Sequence, residues 1–270
     1  GEVEIEVHAA GLNFRDVLNA LGLYPGDPGP LGLEAAGRVT RLGAGVAGLA
    51  VGARVVALAT PGFVPFATTP AALVALLPDH LSFEEGATIP VAFVTAWQAL
   101  VEVGRLSRGE RVLVHSAAGG VGLAAVQVAR SLGAEVVATA SRGKHEFLRR
   151  LGLARVFDSR TLEWAEAARG VDVVLNSLTG DAVPAGLRCL APGGRFVEIG
   201  KREILDPDAV RAVRDDVEYS TYDLRGLAEH ERDATGRALA EVVRGLSDGR
   251  FSPLPSRTYP LAAAADAFRL

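Results

Sequence analysis

Lysine is rare in this chain of 270 residues, since only Lys144 and Lys201 are lysine among its 28 basic residues. Lys201 follows RFVEIG, an apolar segment typical of a buried strand, and Asp223 lies near the end of the next such segment, EYSTYDL. Parallel strands end at one edge of a sheet, so we expect the two side chains to lie close together. Lysine is a compact amine whose proton its surroundings can make labile, whereas arginine stays charged. The pair is therefore a candidate for proton chemistry, or alternatively a structural ion pair.

A glycine-rich turn separates a predicted strand, RVLVHSA, from a predicted helix that begins at once. In a dinucleotide-binding βαβ unit, Gly119 lets the backbone approach a pyrophosphate and Gly122 lets the helix pack on the strand. The helix N-terminus offers free N–H groups to the phosphates. Ala117 stands where such a turn usually has its first glycine, and the alternative is an ordinary tight turn. The predicted cofactor-binding residues of this turn are Ala117, Gly119, Gly120, Val121 and Gly122.

The second predicted strand, EVVATA, ends about 20 residues beyond the glycine turn, where NAD enzymes place an acidic residue against the ribose. Ser141, Arg142 and Lys144 follow that strand instead. A hydroxyl and two cations suit a 2′-phosphate, which a carboxylate would repel. We therefore predict NADPH rather than NADH as the cofactor; the alternative is an exposed basic loop without a ligand.

Two patterns of hydrophobicity divide the chain. Residues 1–90 contain short apolar runs broken by Gly and Pro, which predicts a mostly antiparallel β domain. Residues 91–225 alternate apolar strands with amphipathic helices, which predicts a doubly wound parallel sheet. Residues 226–270 predict a final helix and a return towards the first domain. The six strands of the parallel sheet are predicted at 111–117, 135–140, 155–159, 172–178, 195–200 and 218–224.

Composition narrows the possible partners. The net charge of −4, with acidic and basic residues mixed along the chain, gives no basic block for nucleic acid or a membrane surface. Cys189 is the single cysteine, which predicts a small core residue and suits a reducing compartment. No apolar run is expected to approach the roughly 20 residues of a membrane-spanning helix. The sequence begins within a predicted strand and lacks methionine, so we expect an internal piece of a longer cytoplasmic polypeptide.

Four segments together closely resemble the enoylreductase domain of modular polyketide synthases, in the medium-chain dehydrogenase/reductase superfamily: GLNFRDVLNALGLYPG, HSAAGGVGLAAVQVARSLGAEV, DVVLNSL and GGRFVEIGK. Fatty acid synthase enoylreductase and quinone oxidoreductases are similar but more distant. The resemblance implies NADPH-dependent reduction of an α,β-unsaturated thioester carried on acyl carrier protein, beside flanking synthase domains. It also implies a GroES-like substrate domain into which the nucleotide domain is inserted, with both ends shortened here.

Individual residues acquire expected roles from this resemblance. Lys201 and Asp223 match the proposed proton-donor pair of the synthase domains. Tyr24, in GLYPG, matches a tyrosine that accompanies a 2S methyl branch; alternatively it is a packed turn aromatic. Asn13 is a weaker candidate for contacting substrate and Thr95 for contacting cofactor. From their position at strand ends, the residues expected beside the nicotinamide are Asn176, Ser177, Leu178, Ile199 and Gly200.

Zinc is the competing expectation within the superfamily, since alcohol dehydrogenases carry Gly-His-Glu where this chain has Gly32-Leu33-Glu34. A catalytic zinc needs three protein ligands, and the single cysteine and five scattered histidines predict no metal site. Two other functions stay open from the sequence: a free-standing NADPH:quinone reductase, and a synthase domain that has kept its fold without chemistry. The glycine turn and the Lys201–Asp223 pair favour an active enzyme.

Overall fold

The chain folds into two compact units in a computed structural model that describes residues 1–269. The first unit comprises Gly1–Val94 together with the segment from Leu224 onward, and the second comprises Thr95–Asp223. The second unit is therefore an insertion in the first. The predicted boundaries at 90/91 and 225/226 lie a few residues from these divisions.

The amino-terminal part of the first unit is a five-stranded antiparallel sheet of order β4-β1-β2-β3-β5. Strand β1 alternates polar and apolar residues, and its inward side chains Val3 and Ile5 pack with Val39 and Val55 in the core. This confirms the predicted mostly antiparallel β architecture. The elements are β1 (Glu2–Ala10), α1 (Phe14–Ala20), β2 (Glu34–Leu42), β3 (Arg54–Leu58), β4 (Phe66–Pro70), β5 (Val74–Leu76), α2 (Phe83–Gly86) and α3 (Pro90–Trp97).

The second unit alternates strands and helices, as the sequence predicts. Helix α3 continues as a π-helical segment, Gln98–Val103, before the first strand. The core on one side of the sheet is built from Leu113, Trp164, Val174 and Phe196. The elements are β6 (Arg111–Val114), α4 (Gly120–Ser131), β7 (Glu135–Ala140), α5 (His145–Arg150), β8 (Arg155–Asp158), α6 (Trp164–Ala167), β9 (Val171–Asn176), α7 (Ala182–Cys189), β10 (Leu190–Glu198), α8 (Pro207–Val213) and β11 (Glu218–Thr221).

All six strands of this second sheet are parallel, in the order β11-β10-β9-β6-β7-β8. This is the doubly wound order of dinucleotide-binding domains, and it confirms the predicted fold class. The strand order reverses between β6 and β9. Ligands of such sheets bind beyond the carboxyl ends of the strands at that switch point.

Several strands differ in length from their predicted spans. Strand β9 ends at Asn176 rather than at 178, because the Asn176 amide folds back on Leu178: its Nδ2 donates to the Leu178 carbonyl and its Oδ1 accepts from the Leu178 N–H. Strand β11 ends at Thr221, so Asp223 lies two residues beyond it and directly before the next helix. Strand β10 begins at Leu190, well before the predicted 195, with an irregular register between Leu190 and Arg195.

The carboxyl-terminal segment contains α9 (Leu224–His230), α10 (Arg232–Ser247) and α11 (Ala264–Ala267). Helix α10 packs closely on the amino-terminal part of the first unit. A Cβ added at Gly236 would lie 2.1 Å from the Ala72 carbonyl oxygen, so only glycine allows this approach. The return of the chain to the first unit therefore uses a glycine in the second turn of its longest helix.

One helical run is more apolar than the sequence analysis expected. Phe83–Val103 is 21 residues long with a mean hydropathy of 1.3, so the expectation that no such run exists was wrong. In the folded chain 72% of its apolar window is buried. The run comprises α2, the turn at residues 87–89, α3 and the π-helical segment, and its burial is that of a core segment.

Glu34 is a carboxyl group buried in the first unit, with 3% of its surface exposed. It accepts a hydrogen bond of 2.8 Å from Asn13 Nδ2 and another of 2.8 Å from the Val91 N–H. Burial is the main cause that raises the pKa of Glu34 from 4.5 to about 7, against the opposing effect of the Val91 and Asn13 hydrogen bonds. Glu34 therefore titrates near neutrality.

A raised carboxyl pKa makes stability depend on pH. The contribution of Glu34 is fully present below pH 4.5 and is lost as the pH rises to about 7; the shift corresponds to on the order of 3 kcal/mol. The stability of wild type relative to Glu34→Gln should therefore fall over this range. Urea unfolding at a series of pH values measures the difference, with the exposed Glu84→Gln as control. Parallel pH profiles for wild type and Glu34→Gln would contradict the assignment.

Candidate functional site

The glycine turn lies at the switch point of the parallel sheet. After β6 the backbone N–H of His115 donates to the Leu175 carbonyl, and the N–H of Ala117 donates to the Thr139 carbonyl. Ser116, between them, adopts a left-handed φ of 52°. Such a conformation is uncommon for a residue with a side chain and is typical of functional turns. Gly119 then caps helix α4 in an extended conformation. The turn thus aims the amino end of a twelve-residue helix at the carboxyl edge of the sheet.

The glycines of this turn differ in how closely other atoms surround them. A Cβ at Gly122 would lie 2.4 Å from the Ser116 carbonyl oxygen and 2.6 Å from Ala117 Cα, so this glycine permits close packing of helix on turn. Gly119 and Gly120 are exposed, and the nearest atom to a Cβ at Gly119 is 3.3 Å away. Close packing at Gly122 and solvent exposure at Gly119 and Gly120 fit a phosphate cradle at a helix N-terminus.

A hydrogen bond joins the two strands that flank the switch point. Ser177 Oγ donates to Ser116 Oγ at 3.0 Å, linking the turn after β6 to the turn after β9. Asn176, directly before Ser177, is fully buried. The structure thus brings the glycine turn and the predicted nicotinamide residues 176–178 to one edge.

Arg142 and Lys144 follow β7 at the same edge of the sheet. Arg142 is exposed, and its Nε donates to Asp158 Oδ2 at 2.8 Å. The pKa of Asp158 is lowered, first by the Arg160 N–H and further by Arg142, so this carboxylate is charged. The Lys144 side chain is exposed, and Ser141 is half-buried before it. A surface depression beside Arg142 is lined also by His145, Phe157 and Asp158.

Lys201 and Asp223 form the ion pair that the strand order suggested. Lys201 Nζ donates to Asp223 Oδ1 at 2.8 Å and to the Tyr222 carbonyl oxygen at 3.0 Å. Their side chains are 32% and 55% exposed, so solvent reaches both. The lysine is thus held by one charged and one neutral oxygen at the carboxyl edge of β10 and β11.

Glu198 lies beneath this pair, and the sequence analysis did not select it. It is the last residue of β10 and only 1% exposed. Burial is the largest influence on its pKa, which is raised despite hydrogen bonds from Asn176 and Gly200 and the charge of Lys201. A charged residue among the apolar positions of RFVEIG was the available signal, because a buried strand rarely carries an unpartnered carboxyl group.

Thr95 lies in a buried hydrogen-bond network with Tyr222 and Gln98. It is 6% exposed and hydrogen-bonded to the hydroxyl of Tyr222, which also donates to Gln98 Oε1 at 2.9 Å. Burial raises the pKa of Tyr222, so this phenol stays neutral. Thr95 thus supports the residue whose carbonyl binds Lys201, and its contact with the cofactor stays a prediction.

Asn13 and Tyr24 both lie in the first unit, around helix α1. Asn13 precedes the helix and binds Glu34, as described above. Tyr24 is half-buried, with Arg15 Cζ 5.7 Å from its ring centre. Arg15 Nη1 donates to the Pro30 carbonyl at 2.7 Å. Asn13 is therefore tied into the interior of this unit, whereas Tyr24 is held by a cation over its ring.

The residues present do not fit a zinc ion. No group of three or more His, Cys, Asp or Glu side chains lies close enough to hold a metal anywhere in residues 1–269, although a catalytic zinc requires three protein ligands. Glu34, the acidic residue of Gly-Leu-Glu, is engaged with Asn13 and Val91. Cys189 is buried, and burial is the main cause that raises the pKa of its thiol to about 11.

Comparison with protein families agrees with this division of the chain. Residues 1–78 match the alcohol dehydrogenase GroES-like domain, and residues 151–270 match the family described as zinc-binding dehydrogenase. The first match covers the antiparallel sheet, and the second covers the later strands of the parallel sheet and the carboxyl-terminal segment. The zinc of the second description has no counterpart in the side chains of the described residues.

Individual relatives give a narrower assignment. A polyketide synthase of Streptomyces halstedii, GfsB, is 49% identical over the whole chain, which spans only 5% of that synthase. The crystal structure of CurK enoyl reductase superposes with a TM-score of 0.93 at 43% identity, over 99% of this chain and 86% of the other. A mycobacterial protein solved in complex with NADPH superposes with a TM-score of 0.88 at 29% identity, over 100% of this chain and 87% of the other.

The comparisons and the geometry lead to the same family. The parallel sheet with its glycine turn is that of a nicotinamide-dependent oxidoreductase, and the inserted arrangement is that of the medium-chain dehydrogenases/reductases. The 43% identity to CurK enoyl reductase extends over nearly the entire chain. The chain belongs to the enoyl reductase domains of polyketide synthases.

Proposed function

We propose that this domain uses NADPH to reduce the α,β double bond of an enoyl thioester that acyl carrier protein presents during polyketide assembly. The observation that carries the proposal is the Lys201–Asp223 pair, 2.8 Å apart at the same sheet edge as the glycine turn. The flanking synthase domains and the carrier protein are the proposed partners, because the relatives are multidomain synthases of which this chain spans a small part. The cytoplasm is the proposed location.

Different residues would hold the two ends of the cofactor. The amino end of helix α4 and the exposed glycines would bind the pyrophosphate, and residues 141–144 would bind the 2′-phosphate. Residues 176–178 and 199–200 would lie beside the nicotinamide, which supplies the hydride to the β-carbon of the substrate. The remaining task for the protein is to stabilise negative charge and deliver a proton to the α-carbon.

Lys201 is the proposed proton donor, with Asp223 as its partner. The ammonium group holds a proton against two oxygen atoms and remains partly exposed, so solvent can replace a proton that it gives up. Asp223 accepts a hydrogen bond from the ammonium group and so holds it in place. Arginine could hold the same charge but would not release a proton near neutral pH.

Tyr24 is the proposed determinant of the configuration at the α-carbon, and Asn13 a proposed substrate contact. The phenol of Tyr24 can donate a proton, and Leu21 and Leu23 beside it expose apolar surface that suits an acyl chain. If this role is correct, Tyr24→Phe changes the configuration of a methyl-branched product. Tyr259, which also lies under an arginine, is the matched control for loss of a hydroxyl.

The first prediction concerns substrate class. Wild-type protein should oxidise NADPH with crotonyl N-acetylcysteamine thioester much faster than with a quinone, because the pair at the sheet edge provides a proton for the α-carbon. Absorbance at 340 nm follows both reactions. Faster reduction of the quinone would support a quinone reductase, and no oxidation with either substrate would indicate a domain that has kept only its fold.

The second prediction concerns cofactor preference. Loss of Arg142 removes a cation and leaves the charged Asp158 facing the 2′-phosphate, whereas loss of Lys144 removes only a cation. Charge-assisted hydrogen bonds are worth about 1.5–3 kcal/mol, so Lys144→Ala should raise the KM for NADPH about tenfold and Arg142→Ala should raise it further. The KM for NADH should change little in either variant.

Two variants control this experiment. Arg142→Ala combined with Asp158→Asn should recover part of the lost affinity for NADPH, since the repelling carboxylate is gone. Arg150 is an exposed arginine paired with Glu146 on the neighbouring helix, and Arg150→Ala should leave both constants unchanged. Equal increases in the KM for NADPH and for NADH would contradict the 2′-phosphate assignment.

The third prediction concerns the proton donor. General acid catalysis contributes about 10²- to 10⁴-fold, so Lys201→Ala should lower kcat for the crotonyl thioester by at least about 100-fold. Asp223→Ala should cause a smaller loss. Asp208, an exposed carboxylate paired with Arg211 on α8, is the matched control. Unchanged turnover and unchanged incorporation of solvent deuterium in both Lys201→Ala and Asp223→Ala would remove the pair from the mechanism.

A further inference from the structure

Glu198 connects two predicted nicotinamide segments through its carboxylate. Oε2 accepts from Asn176 Nδ2 at 2.5 Å, and Oε1 accepts from the Gly200 N–H at 2.6 Å. The first bond reaches the end of the neighbouring strand β9, and the second reaches the turn that carries Lys201. One buried side chain therefore sets the distance between the turn after β9 and the turn after β10.

Gly200 is required for the second of these bonds. A Cβ at this position would lie 2.6 Å from Glu198 Oε1, closer than any side chain permits. The carboxylate thus folds back onto the backbone of its own strand end because the residue two positions later is glycine. The turn Ile199–Lys201 takes its shape from this contact.

The backbone of Glu198 extends the same connection to the third strand. Its carbonyl oxygen accepts from the Tyr222 N–H at 2.8 Å, and the Tyr222 carbonyl in turn accepts from Lys201 Nζ. Strand β10 lies between β9 and β11 in the sheet. Glu198 is therefore the central residue of three adjacent strand ends and is bonded to both of the others.

We propose that Glu198 is a positioning residue for the reduction, which binds Asn176 and Gly200 so that Lys201 is fixed against the nicotinamide end of the site. The inference rests on the proposed function, and it assigns Glu198 no contact with substrate or cofactor. Both carboxylate oxygens accept hydrogen bonds from N–H donors, one from Asn176 and one from Gly200. The site therefore requires two acceptors at this side chain.

Glutamine in place of Glu198 cannot preserve both hydrogen bonds. Its amide offers one oxygen and one NH₂, so one of the two N–H donors would face another donor. Glu198→Gln preserves size while breaking one of the two bonds, which releases either the turn with Lys201 or the amide of Asn176. Glu110→Gln is the matched control, because Glu110 accepts two hydrogen bonds from Arg195, which lies three residues before Glu198 on strand β10.

Because the chain contains only two lysines, NMR can report on the surroundings of Lys201 without a measurement of turnover. The 270-residue chain labelled with ¹³C at lysine Cε should give two NMR signals, and Lys144→Arg identifies the one from Lys201. Glu198→Gln should shift the Lys201 signal and leave the Lys144 signal in place. Glu110→Gln should shift neither signal. An unmoved Lys201 signal in folded Glu198→Gln overturns the inference.

A kinetic cycle tests whether Glu198 acts through Lys201. Misplacement of a catalytic group by about 1 Å can cost roughly 100-fold in rate, so Glu198→Gln should lower kcat for crotonyl thioester by roughly 10- to 100-fold. In the Lys201→Ala background, Glu198→Gln should lower kcat by less than about twofold, because the amine that Glu198 positions is absent. Equal losses in both backgrounds overturn the positioning role.

Failure of the proposed function and failure of this inference alone give different results. A wild-type domain that does not reduce the thioester overturns the proposed function and this inference with it. Active wild type together with fully active Glu198→Gln overturns the inference alone. If Glu198→Gln does not fold, Glu198→Asp serves in its place, since the shorter carboxylate cannot reach both donors and should move the Lys201 signal and kcat in the same directions.

Discussion

All six strands of the nucleotide-binding sheet run in the same direction, and the candidate site depends on this constraint. Every turn that leaves a carboxyl end emerges at one edge, so residues distant in the sequence meet without any long loop. The glycine turn follows β6, the basic residues 142–144 follow β7, and Asn176 ends β9. Lys201 and Asp223 follow the last two strands. A single architectural rule thus brings together the residues proposed to bind phosphate and nicotinamide and to transfer a proton.

The same edge has an uneven distribution of charge. Glu198 is buried and has two N–H donors, whereas Asp223 is exposed and binds the ammonium group directly. Lys201 therefore has one carboxylate that shapes its turn and another that pairs with its proton-bearing nitrogen. Lys201 is therefore held in place by Asp223 and stays partly exposed to solvent. Its compact amine suits the proposed proton donation better than the guanidinium of arginine would.

Much of this arrangement could be predicted from the sequence because it follows from local patterns. Alternation of apolar strands and amphipathic helices gives the parallel sheet, and the position of AAGGVG between a strand and a helix gives the turn at the switch point. The neighbouring strand ends predicted that Lys201 lies beside Asp223, and in the structure Lys201 Nζ is 2.8 Å from Asp223 Oδ1. The family resemblance came from the same segments.

Other features depend on contacts between residues distant in the sequence, so local sequence patterns could not predict them. The bond from Arg142 to Asp158 joins two strand ends, and it places a charged carboxylate at the predicted 2′-phosphate site. The hydrogen bond between Thr95 and Tyr222 joins residues more than a hundred positions apart, and the predicted contact of Thr95 with the cofactor stays a prediction. Glu198 was overlooked because its partners are defined only by strand pairing.

The central claim is that the domain performs conjugate reduction, and isotope transfer tests it most directly. The protein is incubated with crotonyl N-acetylcysteamine thioester and with NADPH that carries deuterium at both C4 positions, and the butyryl product is analysed by NMR. The account predicts one deuterium at the β-carbon and a hydrogen from solvent at the α-carbon. A product without deuterium at the β-carbon, or with deuterium at the α-carbon, would contradict it.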